Sequence, residues 1–289
     1  MENMPYASEN PPASLRCRGR LIPLEHPLVM GIVNVTEDSF YDGGKHLLPK
    51  DYLAHCEQLL NEGADILDIG CVSTRPQAKD LPEDEEIRTA TEAIRNIHKQ
   101  FPEALLSIDT WRASVAEACA ENGADIVNDI SGGDFDERMF PTVARLQLPY
   151  IVMHTSGKPE VMQALTDYDE DVVKSVFLAL SRKVETLHRL QVRDVIVDPG
   201  FGFGKTKAQN FSLLKHFSVF RALECPLLCA LSRKSMLYQS IQGTPQDALA
   251  ATVAANLIAL QQGANLLRVH DVKAAKDAIT IWEACRDAD

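Results

Sequence analysis

Eight short apolar runs, most of them followed by a longer stretch of helical spacing, constrain this 289-residue chain more than any other feature. The runs lie at 28–34 (LVMGIVN), 64–70 (ADILDIG), 105–110 (LLSIDT), 125–131 (DIVNDIS), 149–154 (PYIVMH), 194–199 (DVIVDP), 226–232 (PLLCALS) and 264–271 (ANLLRVHD). Their apolar character is continuous rather than alternating, which strands buried on both faces of a parallel sheet require. Helical spacing and good helix formers fill 52–62, 85–100, 112–121, 169–190 and 247–262. Three helical stretches end in Gly-Ala, at 63–64, 123–124 and 263–264, where glycine supplies a left-handed C′ residue. Eight βα units within residues 28–289 predict a closed (β/α)8 TIM barrel, a single domain of the usual barrel size. An open doubly wound sheet also alternates β and α, but it normally carries a glycine-rich fingerprint after its first strand, and here Asn34 is followed by VTEDSF. Residues 1–27 are expected to form a tail, with a small hairpin around 15–23 closing the barrel bottom.

The net charge of −12 argues against nucleic acid or an anionic membrane as the main partner. Any anionic substrate must therefore meet locally concentrated cations. Seven cysteines (Cys17, Cys56, Cys71, Cys119, Cys225, Cys229 and Cys285) form no CxxC pair and no zinc spacing. They read as reduced thiols of a cytoplasmic protein. The polar N-terminus lacks an apolar signal region, and no run is long enough for a transmembrane helix.

In a barrel the C-terminal ends of the strands carry the chemistry. Here they offer Asn34, Asp68 with Ser73-Thr74-Arg75 beyond it, Asp109, Asn128 and Asp129. The later strands offer His154, Asp198, the run 232–235 (SRKS) and the run 268–271 (RVHD). Taken singly, each has a plain structural use: an Asp caps the next helix, and His154 is a hydrogen-bonded core histidine. Polar groups at all eight ends require more, because each unpaired buried polar group costs a few kcal/mol. A polar ligand at their centre satisfies them. Asp109, Asn128 and Asp198 suit a flat, nitrogen-rich heterocycle, a carboxylate gripping a ring N–H and an exocyclic amine together. Arg75, Lys205, Lys234, Arg268 and His270 suit phosphate oxygens and a carboxylate. The run 200–205 (GFGFGK) matches neither dinucleotide-binding nor Walker spacing; its glycines allow close backbone approach and Phe203 offers an aromatic face.

Several segments in order then resemble dihydropteroate synthases: MGIVNVTEDSFYDGG (30–44), DIGCVSTRP (68–76), SIDT (107–110), NDISGG (128–133), MH (153–154), DPGFGFGKT (198–206), LSRKS (231–235) and RVHDV (268–272). The resemblance runs from about residue 28 to the C-terminus. It implies condensation of 6-hydroxymethyl-7,8-dihydropterin pyrophosphate with p-aminobenzoate, giving 7,8-dihydropteroate and pyrophosphate in folate biosynthesis, by a homodimeric, Mg²⁺-dependent sulfonamide target. By similarity Asp109, Asn128, Asp198 and Lys234 hold the pterin, Met153 lines the pocket and Arg268 stacks on the pterin face. Asn34 contacts Mg²⁺, and Arg268 and His270 bind the pyrophosphate. Phe203, Lys234, Ser235 and Thr74-Arg75-Pro76 surround p-aminobenzoate. Lys234, Arg268 and His270 are the implied catalytic groups, and the loops 38–44 and 73–77 correspond to the family's two mobile loops.

The sequence departs from the family pattern at Glu37, where Pro is usual, and at Cys71, Val72 and Gln77, where Gly, Glu and Gly are usual. Two other readings share parts of this pattern. A pterin-binding corrinoid methyltransferase would use the pterin-holding Asp and Asn but has no evident use for the SRKS and RVHD cations. A catalytically silent paralogue would have lost Asn34, Arg268 and His270, and all three are present.

Overall fold

The computed structural model describes residues 14–17, 19–35, 49–72, 81–158, 161–168 and 171–288. Eight parallel strands form one sheet: β3 (Leu28–Asn34), β4 (Ile66–Gly70), β5 (Leu105–Asp109), β6 (Ile126–Asp129), β7 (Tyr150–Met153), β8 (Val195–Asp198), β9 (Leu228–Cys229) and β10 (Leu266–Val269). Their spatial order is β8-β7-β6-β5-β4-β3-β10-β9. The ends of that row meet through a parallel bridge from Val197 to Leu227, and Val197 N donates to Pro226 O at 2.8 Å. This closes the barrel.

The helices α1 (Pro49–Asn61), α2 (Glu83–Gln100), α3 (Ala113–Glu121), α4 (Met139–Leu146), α5 (Val172–Arg189), α6 (Lys207–Lys215), α7 (Ser235–Tyr238), α8 (Leu249–Gln261) and α9 (Val272–Arg286) return the chain. Four of them, α4, α6, α7 and α9, lie outside the helical stretches read from periodicity. The first two are short, and α6 has almost no apolar face to set a 3.6-residue period. The seventh barrel run, expected over 226–232, is regular only at Leu228–Cys229, and beyond it Arg233 turns into the left-handed region at φ 56°.

The three Gly-Ala endings behave alike. Gly63, Gly123 and Gly263 have φ of +99°, +115° and +98°. The following residue supplies a second link. Asp65 Oδ2 accepts from Val29 N at 2.7 Å, Asp125 Oδ2 from Leu106 N at 2.8 Å and Asn265 Oδ1 from Leu227 N at 3.0 Å. A Gly-Ala-Asx tripeptide thus ends a helix and caps the start of the neighbouring strand, satisfying an amide that would otherwise be orphaned.

Two buried clusters result. The larger fills the layer between strands and helices, from Val29, Val33 and Leu67 to Leu213 and Phe217. The smaller holds the inward-facing residues near the strand starts, including Met30, Ile66, Leu105, Ile126, Ile196 and Leu266. Leu15 and Cys17 belong to that second cluster. They come from the antiparallel hairpin β1 (Ser14–Cys17) and β2 (Arg20–Pro23), which therefore plugs the N-terminal mouth. Such a hairpin is marginal alone; burying Leu15, at 1% exposure, contributes about 2 kcal/mol. Among the described residues, that leaves the C-terminal ends of the strands as the open mouth for a ligand.

Candidate active site

Strand register lines up the polar ends. Asn34 pairs with Gly70, Gly70 with Asp109 and Asp109 with Asn128, so four adjacent strands present these residues on one rung. Gly70 is the gap in the row. A Cβ there would lie 3.8 Å from Asp109 Oδ2 and 4.0 Å from Asn34 Oδ1, so the two side chains lean over it from either side.

One layer deeper, fully buried Asp68 joins the set. Its Oδ2 accepts from Arg268 Nε at 2.6 Å and from Asn128 Nδ2 at 3.1 Å. Arg268 Nη2 donates to Asp109 Oδ2 at 2.7 Å. One guanidinium therefore serves two carboxylates. Burial pushes the Asp109 carboxyl up to about 7, with Asp68 adding to the rise and Arg268 opposing it. The two carboxylates hold Arg268 charged throughout the accessible pH range. Among the described residues, buried Asp68 Oδ1 has no hydrogen-bond partner, a deficit expected where a ligand or water completes the set.

On the opposite wall, Asp198 stands in register with Met153. Asp198 is 3% exposed, and its Oδ1 accepts from Gly200 N at 2.7 Å. Burial raises its carboxyl, and Lys234 pulls it back. Gly200 adopts φ +72°, and a Cβ there would fall 1.9 Å from His154 O, so no other residue fits without displacing the backbone. Lys234 donates Nζ to Phe201 O and lies 4.8 Å from the centre of the Phe203 ring. Burial lowers its ammonium to about 8 against the pull of Asp198. Ser235 opens α7 and is exposed, and His270 is exposed beyond β10 with its ring against Ser232.

Lys205, read from sequence as a cation at the mouth, points inward instead. It is 4% exposed, and its Nζ donates to Gly200 O at 2.8 Å, Phe203 O at 2.9 Å and His154 O at 3.3 Å, with His154 Nδ1 at 3.1 Å. The ammonium is the centre around which the 200–205 loop folds. Burial lowers it to about 7, and burial together with Lys205 lowers His154 to about 2, so that ring is neutral. His154 is the hydrogen-bonded core histidine of the plain reading.

Asp109, Asn128, Met153, Asp198, Phe203, Lys234 and Arg268 thus converge on the C-terminal mouth, with Asn34, Ser235 and His270 at its rim. Thr74, Arg75, Pro76, Glu37, Gln77 and the loops 38–44 and 73–77 lie outside the described residues. Sequence reading named Asp68 at a strand end but gave it no role. Its position two residues before Gly70, on the same strand face, was the available signal. Among the described residues no cluster of three His, Cys, Asp or Glu side chains is arranged to hold a metal ion, and no helix is long and apolar enough to cross a membrane.

A family model described as pterin binding enzyme matches residues 30–270. The dihydropteroate synthase of Escherichia coli is 37% identical over 280 residues, covering 95% of this chain and 97% of that protein. The chain belongs to the dihydropteroate synthase family. The solved dihydropteroate synthase of Xanthomonas albilineans, in a structure with 4-aminobenzoic acid, superposes with a TM-score of 0.89 at 39% identity, covering 96% of this chain and 100% of that one. Some family members are much longer. The folic acid synthesis protein fol1 of Pneumocystis carinii is 39% identical over 266 residues, which is 88% of this chain but 36% of that protein. Family membership agrees with a barrel whose polar strand ends surround one mouth.

Proposed function

We propose that this chain is a transferase that condenses 6-hydroxymethyl-7,8-dihydropterin pyrophosphate with p-aminobenzoate, releasing 7,8-dihydropteroate and pyrophosphate. The observation that carries this reading is the Asp68–Arg268–Asp109–Asn128 network facing Asp198 and Lys234 across one mouth. Asp198 and Asn128 accept from and donate to the pterin ring edge, and Asp109 faces it from the rung beside Asn128. Lys234 sits between the pterin and p-aminobenzoate sides, with Phe203 against its ammonium. Arg268 and His270 face the pyrophosphate, and Ser235 with Thr74, Arg75 and Pro76 contacts p-aminobenzoate.

The carbon–oxygen bond at the pterin methylene breaks with its electron pair going to pyrophosphate. The arylamine nitrogen forms the new bond to the methylene and loses a proton to solvent. An aniline is nucleophilic when neutral, so no Ser/His/Asp or Cys/His constellation is needed. Positioning of the amine and stabilisation of the leaving anion supply the rate.

Asn34 fits Mg²⁺: its amide is a hard oxygen donor beside the Asp109 carboxylate across Gly70, and Mg²⁺ takes one or two protein oxygens plus phosphate and water. Bound there, it supplies Lewis-acid stabilisation of the departing pyrophosphate. The seven free thiols support a cytoplasmic setting, and the family reading extends to a homodimer that is a sulfonamide target. A coupled assay for pyrophosphate release tests the function. Release should require both substrates, and release from either alone, or none from the pair, overturns it. Sedimentation tests the dimer.

A further inference from the structure

Two consecutive residues after β9 are bonded to two consecutive residues after β10. Ser232 Oγ lies 3.0 Å from His270 Nδ1 and 3.1 Å from the His270 backbone nitrogen. One residue further on, Arg233 donates Nε and Nη2 to the two carboxylate oxygens of Asp271, at 2.8 and 2.7 Å. Arg233 takes its left-handed φ of 56° at this point, with its backbone N–H held by Thr252 Oγ1 at 3.1 Å. The two rungs tie the loop that carries Lys234 to the residues just beyond β10, the strand that bears Arg268, with His270 itself in one rung.

The Ser232 rung has a consequence for the histidine ring. The His270 backbone nitrogen can only donate, so Ser232 Oγ accepts there. The hydroxyl has one proton of its own. Ser232 is 7% exposed, and among the described residues the other polar atom bonded to its Oγ is Nδ1. An O–H directed at Nδ1 needs a lone pair there, which leaves the proton of a neutral imidazole on Nε2.

We propose that Ser232 is a positioning residue that holds His270 as its Nε2–H tautomer, presenting an N–H donor to the oxyanion of the departing pyrophosphate. The opposite tautomer would turn a lone pair toward that anion and repel it. The Arg233–Asp271 pair keeps the two loops at the separation the contact needs. The proposal rests on the reading of His270 as a pyrophosphate contact.

The test uses the full chain labelled with ¹⁵N-histidine, at a pH where the ring signals no longer move, with His270 assigned by its loss in His270→Gln. The expected spectrum shows a pyridine-like Nδ1 and a pyrrole-like Nε2 for His270, giving way to a tautomer mixture in Ser232→Ala. Titration with inorganic pyrophosphate should shift the Nε2–H signal. In turnover, Ser232→Ala should lower kcat/KM for the pterin pyrophosphate roughly tenfold, the scale of one hydrogen bond to a charged group. KM for p-aminobenzoate should hold, and Ser232→Thr, which keeps the hydroxyl, should restore the loss. A pyrrole-like Nδ1 in the wild-type chain overturns the tautomer assignment whatever the activity. An Nε2–H signal that saturating pyrophosphate leaves unmoved overturns its role. If the expected tautomer and shift are seen but no pyrophosphate is released from the two substrates, it is the condensation reading that falls.

Discussion

Asp68 and Arg268, 200 residues apart in sequence, meet at 2.6 Å between Oδ2 and Nε at the centre of the barrel mouth. Arg268 also reaches Asp109, so one cation balances two carboxylates. The second carboxyl is held in a buried place where ionising it is costly, which makes this triad the most consequential electrostatic feature of the site.

Asp68→Ala should destabilise the protein by on the order of 3 kcal/mol, the low end for breaking a buried pair, because Asp109 still holds Arg268. Urea denaturation measures it. A loss below about 1 kcal/mol would mean that water replaces the carboxylate without difficulty.

Asp109 makes a prediction about pH. Its folded-state carboxyl stands at about 7, raised by burial, whereas the unfolded carboxyl titrates near 4. Between those values the native state binds the extra proton, so this group makes stability fall as pH rises from about 4 to about 7. Asp109→Asn removes that contribution. Relative to wild type the variant should gain stability across the window, seen in urea midpoints taken at each pH. Parallel profiles would show that Asp109 is already ionised throughout.

Asp198 tests pterin recognition. Asp198→Asn should weaken binding of the pterin by on the order of 2–5 kcal/mol, the range for a desolvated charge-assisted pair. Calorimetry reads the affinity directly, and an unchanged value would remove Asp198 from the pocket.

Lys205 carries no substrate in this arrangement, yet three carbonyls depend on it. Lys205→Met should cost on the order of 3 kcal/mol of stability, since those oxygens lose a buried donor. The loop it folds bears Phe203, so KM for p-aminobenzoate should rise more than KM for the pterin pyrophosphate. Equal changes in both, or none, would make Lys205 a stability residue alone.

The order of bond breaking can be read from isotope position. An arylamine needs no strong base, and in the proposed reaction Arg268 and Asn34 face the leaving anion, which favours cleavage before attack. With the bridging oxygen of the pterin substrate labelled, enzyme and Mg²⁺ without p-aminobenzoate should scramble the label into non-bridging positions. Scrambling should weaken in Asn34→Ala and Arg268→Ala. Retention of the label, even with a non-nucleophilic p-aminobenzoate analogue bound, would favour concerted displacement.

Local patterns in the chain determined a great deal. Continuous Val/Ile/Leu runs suit strands buried on both faces of a parallel sheet, and their spacing left room for a helix in each return, so the barrel and its polar strand ends were legible from residue order. The Gly-Ala endings were legible too, because a left-handed turn is a property of the backbone at one residue. Helices α6 and α9 were not, since the first has almost no amphipathic period and the second begins directly after His270 and Asp271, with little loop to announce it. Which way a charged side chain points was decided only by closure of the barrel. Lys205 and Lys234 are both lysines in loops after strands. One is folded inward onto carbonyls of its own loop, and the other is set beside Asp198 and Phe203. The sharing of Arg268 between Asp68 and Asp109 likewise needs β4, β5 and β10 brought around one axis. No local propensity contains that information, because its energy comes from desolvated contacts between residues that are distant in sequence.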